Sequence, residues 1–173
     1  MGVTIHWDFV RSESPEKLLK RAEKVAKELG FKIEERGWNK LIINPDEESE
    51  WICLHFHKAK TIKRRVGYDL EKEKMSRKEV YKDDWFTGGF TKTHYAGPEV
   101  HIKVAEFLRF IASNCEEAKV HDEAHYYENG FDKKFIEKLK AYWDDYNKMI
   151  GNLAGQLKKA FGKDNVLCSG DLK

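Results

Sequence analysis

The stretch that most constrains the fold is Trp51–His57, because its residues alternate in polarity. Successive side chains of an extended strand point to opposite faces of a sheet. Three apolar residues would share one face: Ile52, Leu54 and Phe56. The other four would share the opposite face: Trp51, Cys53, His55 and His57. This pattern is typical of a strand inside a sheet, with a hydrophobic core on one side and a semi-polar surface on the other.

Other segments show the same two periodicities. Alternation predicts a strand over 3–9, and two more strands over 31–35 and 40–44 that turn at Gly37. Apolar residues at helical spacing predict two helices. One is expected between the cap Ser14 and the stop signal Gly30, and the other is expected to begin at Gly97-Pro98. The short polar segment 71–84 is predicted to contain a short helix.

Two segments in the second half of the chain complete the predicted sheet. Residues 85–96 are expected to form a hairpin that turns at Gly88-Gly89, since both glycines can adopt positive φ. Residues 119–127 are expected to form one strand. We therefore predict a single α+β domain over residues 1–173. It should hold an antiparallel sheet of about 5–7 strands, with three helices mainly on one face of that sheet.

The last predicted helix begins near Phe131-Asp132, and its apolar residues alternate spacings of three and four, as in a heptad repeat. These residues are Ile136, Leu139, Trp143, Tyr146, Ile150, Leu153, Leu157 and Ala160. At a rise of 1.5 Å per residue the helix would be about 45 Å long, which exceeds the width of a domain of this size. It should therefore break near Gly151 or Gly155, pack across the sheet, or pair with a second chain in a homodimer.

The charge of the chain limits its partners. The net charge is only +2, so no bulk electrostatic attraction to nucleic acid or to an anionic membrane is expected. The exception is a basic run over 58–65, with Lys58, Lys60, Lys63, Arg64 and Arg65. It is predicted to be a solvated edge strand, with phosphate binding as the alternative. Charged residues make up 36% of the chain, a composition typical of proteins from hyperthermophiles.

The sequence also predicts the compartment. No apolar run approaches the roughly 20 residues that span a bilayer, and the N-terminus does not have the pattern of a signal peptide. The three cysteines, Cys53, Cys115 and Cys168, are widely spaced and odd in number. They are expected to be reduced thiols in a cytoplasmic protein.

Histidines on two predicted strands form a candidate metal site. The residues with ligand chemistry are His55, His57, His121, Glu123 and His125. Imidazole nitrogen and carboxylate oxygen are ligands for transition metals, provided that the two strands converge. The spacing matches no zinc motif. The alternative is that these histidines simply pair with nearby acidic side chains.

One pattern in the second half resembles a known group of proteins. It consists of Lys92-Thr93-His94-Tyr95-Ala96, then His101, then Asp122-Glu123 followed by Tyr126-Tyr127-Glu128. This is similar to a pattern in uncharacterised prokaryotic proteins of hyperthermophilic archaeal character, and it covers roughly residues 85–155. That family has no assigned activity, so the resemblance implies where a site would lie and implies no reaction or cofactor.

These observations favour a small cytoplasmic protein that binds an unknown ligand or protein partner. It would use the 85–96 hairpin and the 121–128 strand. The candidate binding residues are Lys92, Thr93, Tyr95, His101, Asp122, Glu123, Tyr127 and Glu128. The alternative is a small enzyme, with or without a metal, that uses Lys92, His101, Asp122 and Glu123. Such an enzyme needs these side chains within hydrogen-bonding reach of each other in a concave site.

Overall fold

The computed structural model of the chain describes residues 3–58, 63–69, 74–80, 83–129 and 133–161. The chain divides into two compact units, Met1–Gly130 and Phe131–Lys173. The first unit contains antiparallel sheets and helices, which confirms the predicted α+β class. The described part of the second unit is one long helix.

The described elements of the first unit begin with a strand and a helix, continue with seven strands, and end with a helix, a strand and a short helix. Its first part contains β1 (Thr4–Arg11), α1 (Glu16–Glu28), β2 (Lys32–Arg36), β3 (Lys40–Asn44), β4 (Ile52–His55) and β5 (His57–Lys58). Its second part contains β6 (Lys63–Asp69), β7 (Lys74–Val80), β8 (Trp85–Lys92), α2 (Pro98–Ala112), β9 (Glu117–Asp122) and α3 (Tyr126–Asn129). The second unit contains α4 (Lys133–Phe161).

The strands form a four-stranded sheet in the order β5-β8-β1-β9, a three-stranded sheet in the order β2-β3-β4, and the pair β6-β7. All neighbouring strands are antiparallel. In the four-stranded sheet, α1 follows β1, and α2 connects β8 to β9, which is the connectivity of a split β-α-β plait. Helix α2 packs on β1 and β9, while α1 packs on β2, β3 and α2.

The alternating stretch 51–57 has the two faces that were predicted, but it does not lie inside a sheet, because β4 and β5 are each an edge strand. Ile52, Leu54 and Phe56 are fully buried, whereas the four residues of the other face are exposed. The strand is interrupted at Phe56, whose N–H donates to the carbonyl of Asn39 at 2.9 Å and whose carbonyl accepts from the Asn39 amide at 2.9 Å. Before this residue β4 pairs with β3, and after it β5 pairs with β8. Phe56 therefore joins the three-stranded sheet to the four-stranded sheet.

The predicted hairpin at Gly88-Gly89 is wrong, because β8 passes straight through both glycines. Its partner is β1, with Trp7 opposite Gly89. A Cβ atom at Gly89 would lie 2.9 Å from Cζ2 of the buried Trp7 indole. A glycine inside a strand often marks such a close approach. The glycine is needed here for packing and not for a turn.

We expect Gly89→Ala to lower the free energy of unfolding by about 1–3 kcal/mol, since the added methyl group overpacks the Trp7 ring. Urea denaturation measures the change. The matched control is Gly37→Ala, because the nearest atom to a Cβ there is at an ordinary 3.6 Å. Equal stability of the two variants would show that the contact with Trp7 does not require glycine.

Other predicted boundaries also need correction. The strand predicted over 119–127 ends at Asp122, because the Asp122 side chain accepts the N–H of Ala124 at 2.8 Å and turns the chain. His125 then has a positive φ of 59°, and α3 follows. His121, Glu123, His125 and Tyr127 therefore do not share one strand face. Pro15, and not Ser14, is at the N-cap position of α1.

Two helix predictions also change. Residues 74–80 of the predicted short helix instead form strand β7, because they pair with β6 along its whole length. Helix α4 runs without a break through Gly151 and Gly155, so the break that was one of the predicted alternatives does not occur there. A helical glycine costs only about 1 kcal/mol relative to alanine, so two of them need not end a helix. Among the described residues, no helix combines the length and the apolar character needed to cross a membrane.

Candidate functional site

The ends of β8 and β9 meet beside the start of β1, because both strands pair with it. Lys92 lies opposite Thr4, and Asp122 lies opposite Ile5. Between the two strands the chain forms α2, which begins after Gly97 in a left-handed conformation with φ of 89°. This geometry places the residue after β8, the first turn of α2 and the last residue of β9 next to each other.

Three polar side chains from these elements form a hydrogen-bonded chain, here called the buried cluster: Thr93, His101 and Asp122. The Thr93 hydroxyl is 2.7 Å from Nδ1 of His101, and Nε2 of His101 is 3.0 Å from Oδ2 of Asp122. All three side chains are fully buried. A carboxylate can only accept, so Nε2 carries a proton and donates it to Asp122. In the neutral ring Nδ1 then accepts from the Thr93 hydroxyl.

The Asp122 carboxylate has further partners. It accepts the N–H of Tyr127 at 2.9 Å and the N–H of Ala124 at 2.8 Å. Burial alone would raise the pKa of Asp122, but the hydrogen bond and charge of His101, together with these two N–H groups, hold the pKa below its usual value. Asp122 is therefore a charged group that depends on His101 and on the turn after β9.

The other two acidic candidates, Glu123 and Glu128, form hydrogen bonds that stabilise the turn after β9. Glu123 exchanges two hydrogen bonds with Thr4, its carboxylate accepting the Thr4 N–H at 2.9 Å and its own N–H donating at 3.1 Å. Glu128 accepts the N–H of Asp122 at 3.3 Å. Arg109 of α2 donates to the carbonyl of Tyr127 at 2.6 Å and lies 5.0 Å from the centroid of its ring. These contacts connect the turn to β1 and α2.

The other two candidate binding residues lie elsewhere. Lys92 points away from the buried cluster, with Nζ 3.6 Å from Glu50 and 5.9 Å from the centroid of the Phe90 ring. Tyr95 is exposed, and its ring centroid is 3.7 Å from that of His94. The structure therefore brings six of the eight predicted residues together and leaves these two apart. The six are Thr93, His101, Asp122, Glu123, Tyr127 and Glu128.

The structure does not bring the five candidate metal ligands together. His55 and His57 have ring centroids 4.0 Å apart, but His57 is on β5 and His121 is on β9, at opposite edges of the four-stranded sheet. Three strand spacings separate these edges, or about 14 Å. Glu123 and His125 lie in the turn beyond β9. Within the described ranges, no three His, Cys, Asp or Glu side chains are placed to hold a metal ion.

The face of β8, β1 and β9 that is turned away from α2 carries a feature that the sequence did not reveal. This open face is formed by Phe86, Phe90, His6, Asp8, Lys119 and His121. His6 lies opposite both Phe90 and His121, with ring centroids 5.8 Å and 6.3 Å away. We call these three rings the aromatic row. Alternation in β1 places His6 on a polar face, but strand register was needed to find its two neighbours.

The buried cluster and the aromatic row lie on different sides of β1. The buried cluster joins β8, α2 and β9, whereas the aromatic row crosses the open face with Phe90 51% exposed. Phe90 and His6 are exposed and His121 is half-buried, so the rings of the row reach the surface of the described part of the first unit. No protein-family model, curated protein or solved structure matches this chain. A proposal about its function therefore rests on the geometry of the buried cluster and of the aromatic row.

Proposed function

We propose that the protein is a binding module whose ligand lies against the open face of β8, β1 and β9. The observation that carries this proposal is the aromatic row on neighbouring strands. Phe90 is 51% exposed, and His6 is exposed on the central strand β1 beside it. Large rings gathered on a sheet face in this way are typical of a binding surface. Phe90 belongs to the segment 85–96 and His121 to the segment 121–128, the two segments expected to bind, but none of the eight candidate binding residues is in the row.

The ligand class that fits this surface is single-stranded nucleic acid. Open sheets bind unpaired bases by stacking them on aromatic side chains, and histidine and phenylalanine both serve in this role. Lys92 lies 5.9 Å from the centroid of the Phe90 ring, and Lys119 on β9 lies opposite Asp8 on β1 in the strand register. These two lysines can reach phosphates at the rim of the row. Stacking, and not charge, would then supply most of the affinity, in keeping with a net charge of only +2.

The enzyme alternative has less support. The order hydroxyl, imidazole and carboxylate in Thr93, His101 and Asp122 is that of a nucleophile triad. All three groups are fully buried, so a substrate has no path to the Thr93 hydroxyl in this structure. The other two residues of the predicted enzyme site, Lys92 and Glu123, are exposed, and they contact Glu50 and the Thr4 N–H respectively. The geometry therefore favours a structural role for the buried cluster.

The proposal includes the cytoplasm of a hyperthermophilic prokaryote as the setting. Cys53 is an exposed free thiol, as expected in a reducing compartment. Surface charges form linked pairs: Glu23 lies 2.6 Å from Lys27 and 3.4 Å from Arg36. The hydrogen bond from Lys27 outweighs burial and lowers the pKa of Glu23. Such networks gain value at high temperature.

We expect Phe90→Ala to weaken binding of a fluorescein-labelled 12-nucleotide single-stranded RNA by roughly 5- to 150-fold. Stacking of one base on an aromatic ring is worth about 1–3 kcal/mol. Fluorescence anisotropy at low salt measures the affinity. The matched control is Trp38→Ala, because Trp38 is 56% exposed but lies in the turn between β2 and β3. Its affinity should stay within about twofold of the unaltered protein.

Two outcomes would contradict the proposal. One is the absence of binding to single-stranded RNA and DNA by the unaltered protein. The other is an equal loss of affinity in the two variants, which would show that the aromatic row does not bind the ligand.

The salt dependence of the affinity distinguishes binding at the open face from binding at the basic run 58–65. Two lysines predict a log–log slope of about −1.4 for a single strand, whereas the five cations of the run predict about −3.5.

A further inference from the structure

His55 and His57 lie side by side on the surface of the first unit, and we call them the histidine pair. Their ring centroids are 4.0 Å apart, and the ring planes are inclined at 44°. Alternate residues of a regular strand are about 6.5–7 Å apart, so the two rings lean toward each other. Both side chains are exposed, and among the described residues no hydrogen bond occupies their ring nitrogens. The nitrogens are therefore available to a ligand.

Neighbouring strands hold the backbone of the histidine pair in place. The N–H of His55 donates to the Thr87 hydroxyl at 3.2 Å. The second member of the pair lies opposite Phe86 on β8, with ring centroids 6.0 Å apart. Between the two histidines, the fully buried Phe56 exchanges two hydrogen bonds with Asn39. The pair is positioned before a ligand arrives, which lowers the entropic cost of binding.

The separation of the two rings is close to that of two imidazoles bound to one metal ion. Imidazole nitrogen binds zinc at about 2.0–2.1 Å, so two such rings on one ion have centroids roughly 4.5–5 Å apart. The observed 4.0 Å reaches this range by side-chain rotation. In histidine the χ2 torsion has broad energy wells, so turning a nitrogen toward the ion has a small cost. Water would fill the remaining coordination positions.

The charges beside the histidine pair compensate each other. Lys40 of β3 lies opposite His55, and its Nζ is 2.7 Å from Oε2 of Glu35. Burial lowers the pKa of His55 most, and the charges of His57 and Lys40 lower it further. Glu35 acts on the pKa in the opposite direction. His55 is therefore neutral at pH 7, and the neutral imidazole is the form that binds a metal ion.

We propose that His55 and His57 together bind one late first-row divalent transition-metal ion, of the class of Ni²⁺, Cu²⁺ and Zn²⁺. Imidazole favours these ions, whereas Mg²⁺ and Ca²⁺ prefer oxygen ligands. The site is smaller than the one expected from the sequence, because His121, Glu123 and His125 take no part in it. It is also independent of the proposed nucleic-acid binding, since it does not use the aromatic row.

Isothermal titration calorimetry of the untagged full chain with NiCl₂ tests this proposal. We expect one ion per chain, and an affinity at least about tenfold lower in His55→Ala and in His57→Ala, because even an outer-shell partner is worth that much. The matched control is His125→Asn, which removes another exposed histidine and supplies a residue that tolerates its φ of 59°. The control should bind within about twofold of the unaltered protein. No binding of Ni²⁺ by the unaltered chain overturns the proposal, as does an equal affinity of the control and either pair variant.

Two further variants test whether the ion lies at the histidine pair. Cys53→Ser removes the thiol on the same exposed face of β4. His6→Gln removes one ring of the other close histidine contact, in which the centroid of His121 is 6.3 Å away. Both variants should bind Ni²⁺ within about twofold of the unaltered protein. A tenfold loss of affinity in either variant overturns the assignment to the pair.

The charges beside the pair provide a test with opposite signs. Lys40→Gln should tighten Ni²⁺ binding by roughly twofold to fivefold, because it removes a positive charge near the ion, and Glu35→Gln should weaken binding by a similar factor. The same titration measures both affinities. Changes of affinity in the same direction in the two variants would overturn the placement of the ion beside these charges.

Discussion

Asp122→Ala should lower the free energy of unfolding by about 3–5 kcal/mol, among the largest effects of any single substitution in this protein. Removing a buried carboxylate that accepts several hydrogen bonds has a cost of this size, because each buried donor left without its acceptor costs about 1–3 kcal/mol. Here the loss reaches further than His101. The N–H groups of Ala124 and Tyr127 also donate to this carboxylate, and both would lose their acceptor.

Urea denaturation at pH 7 measures this change. Asp122→Asn should cost less, about 1–3 kcal/mol, because the amide keeps one oxygen but turns an NH₂ group toward another donor. The control is Glu47→Gln, an exposed acid in the turn after β3, which should stay within about 0.5 kcal/mol of the unaltered protein. A cost for Asp122→Ala as small as that of the control would mean that the cluster does not hold β9 and α2 together.

The Asp122 carboxylate also determines the direction in which the free energy of unfolding changes with pH. Asp122 has a lowered pKa in the folded protein, so its contribution to stability is complete above the unfolded pKa of about 3.9. The contribution is lost as the pH falls through the folded pKa. The stability difference between the unaltered protein and Asp122→Asn should therefore be constant from pH 7 to about pH 5 and shrink below about pH 4. A difference that grows on acidification would contradict the assignment of a charged Asp122.

Phe56→Ala should also lower the free energy of unfolding by about 3–5 kcal/mol. The ring is fully buried, and the cavity left by a phenylalanine in a core has a cost in this range. Phe56 is also the residue at which the chain passes from the three-stranded sheet to the four-stranded sheet. Its backbone is held there by Asn39, so loss of the ring loosens the junction between both sheets.

The next residue along the chain provides the control for this prediction. His57 is exposed on the opposite face, so His57→Ala should change the stability by no more than about 0.5 kcal/mol. Urea denaturation of the two variants compares neighbouring positions on opposite faces of the extended stretch 51–57. Similar losses for Phe56→Ala and His57→Ala would be evidence against the alternation of buried and exposed residues on which the fold depends.

Parts of the fold that depend on local sequence were predictable. The alternation over 51–57 determines which residues are buried, because strand geometry forces neighbouring side chains apart. The hairpin prediction at Gly88-Gly89 failed, since the same dipeptide suits a tight turn or a close approach by another chain segment. Trp7, more than 80 residues away in sequence, decides between them. No local pattern contains that information.

The candidate site was likewise predictable only in part. The residue types of the buried cluster were identified, but the sequence does not state that all three are buried. Asp122 ends β9 by accepting the N–H of Ala124, and its position depends on His101 from a different element. The aromatic row depends on register between strands, which a single sequence specifies weakly. The row was therefore visible only once β1 was seen between β8 and β9.

The central claim is that the buried cluster stabilises the protein while the open face binds the ligand. The most direct test is the affinity of Asp122→Asn for the labelled 12-nucleotide RNA, measured by anisotropy at 25 °C beside Phe90→Ala. We predict that Asp122→Asn is less stable but binds within about twofold of the unaltered protein, whereas Phe90→Ala loses affinity and retains stability. A loss of affinity in Asp122→Asn as large as in Phe90→Ala, with its stability unchanged, would contradict the claim and place the ligand at the buried cluster.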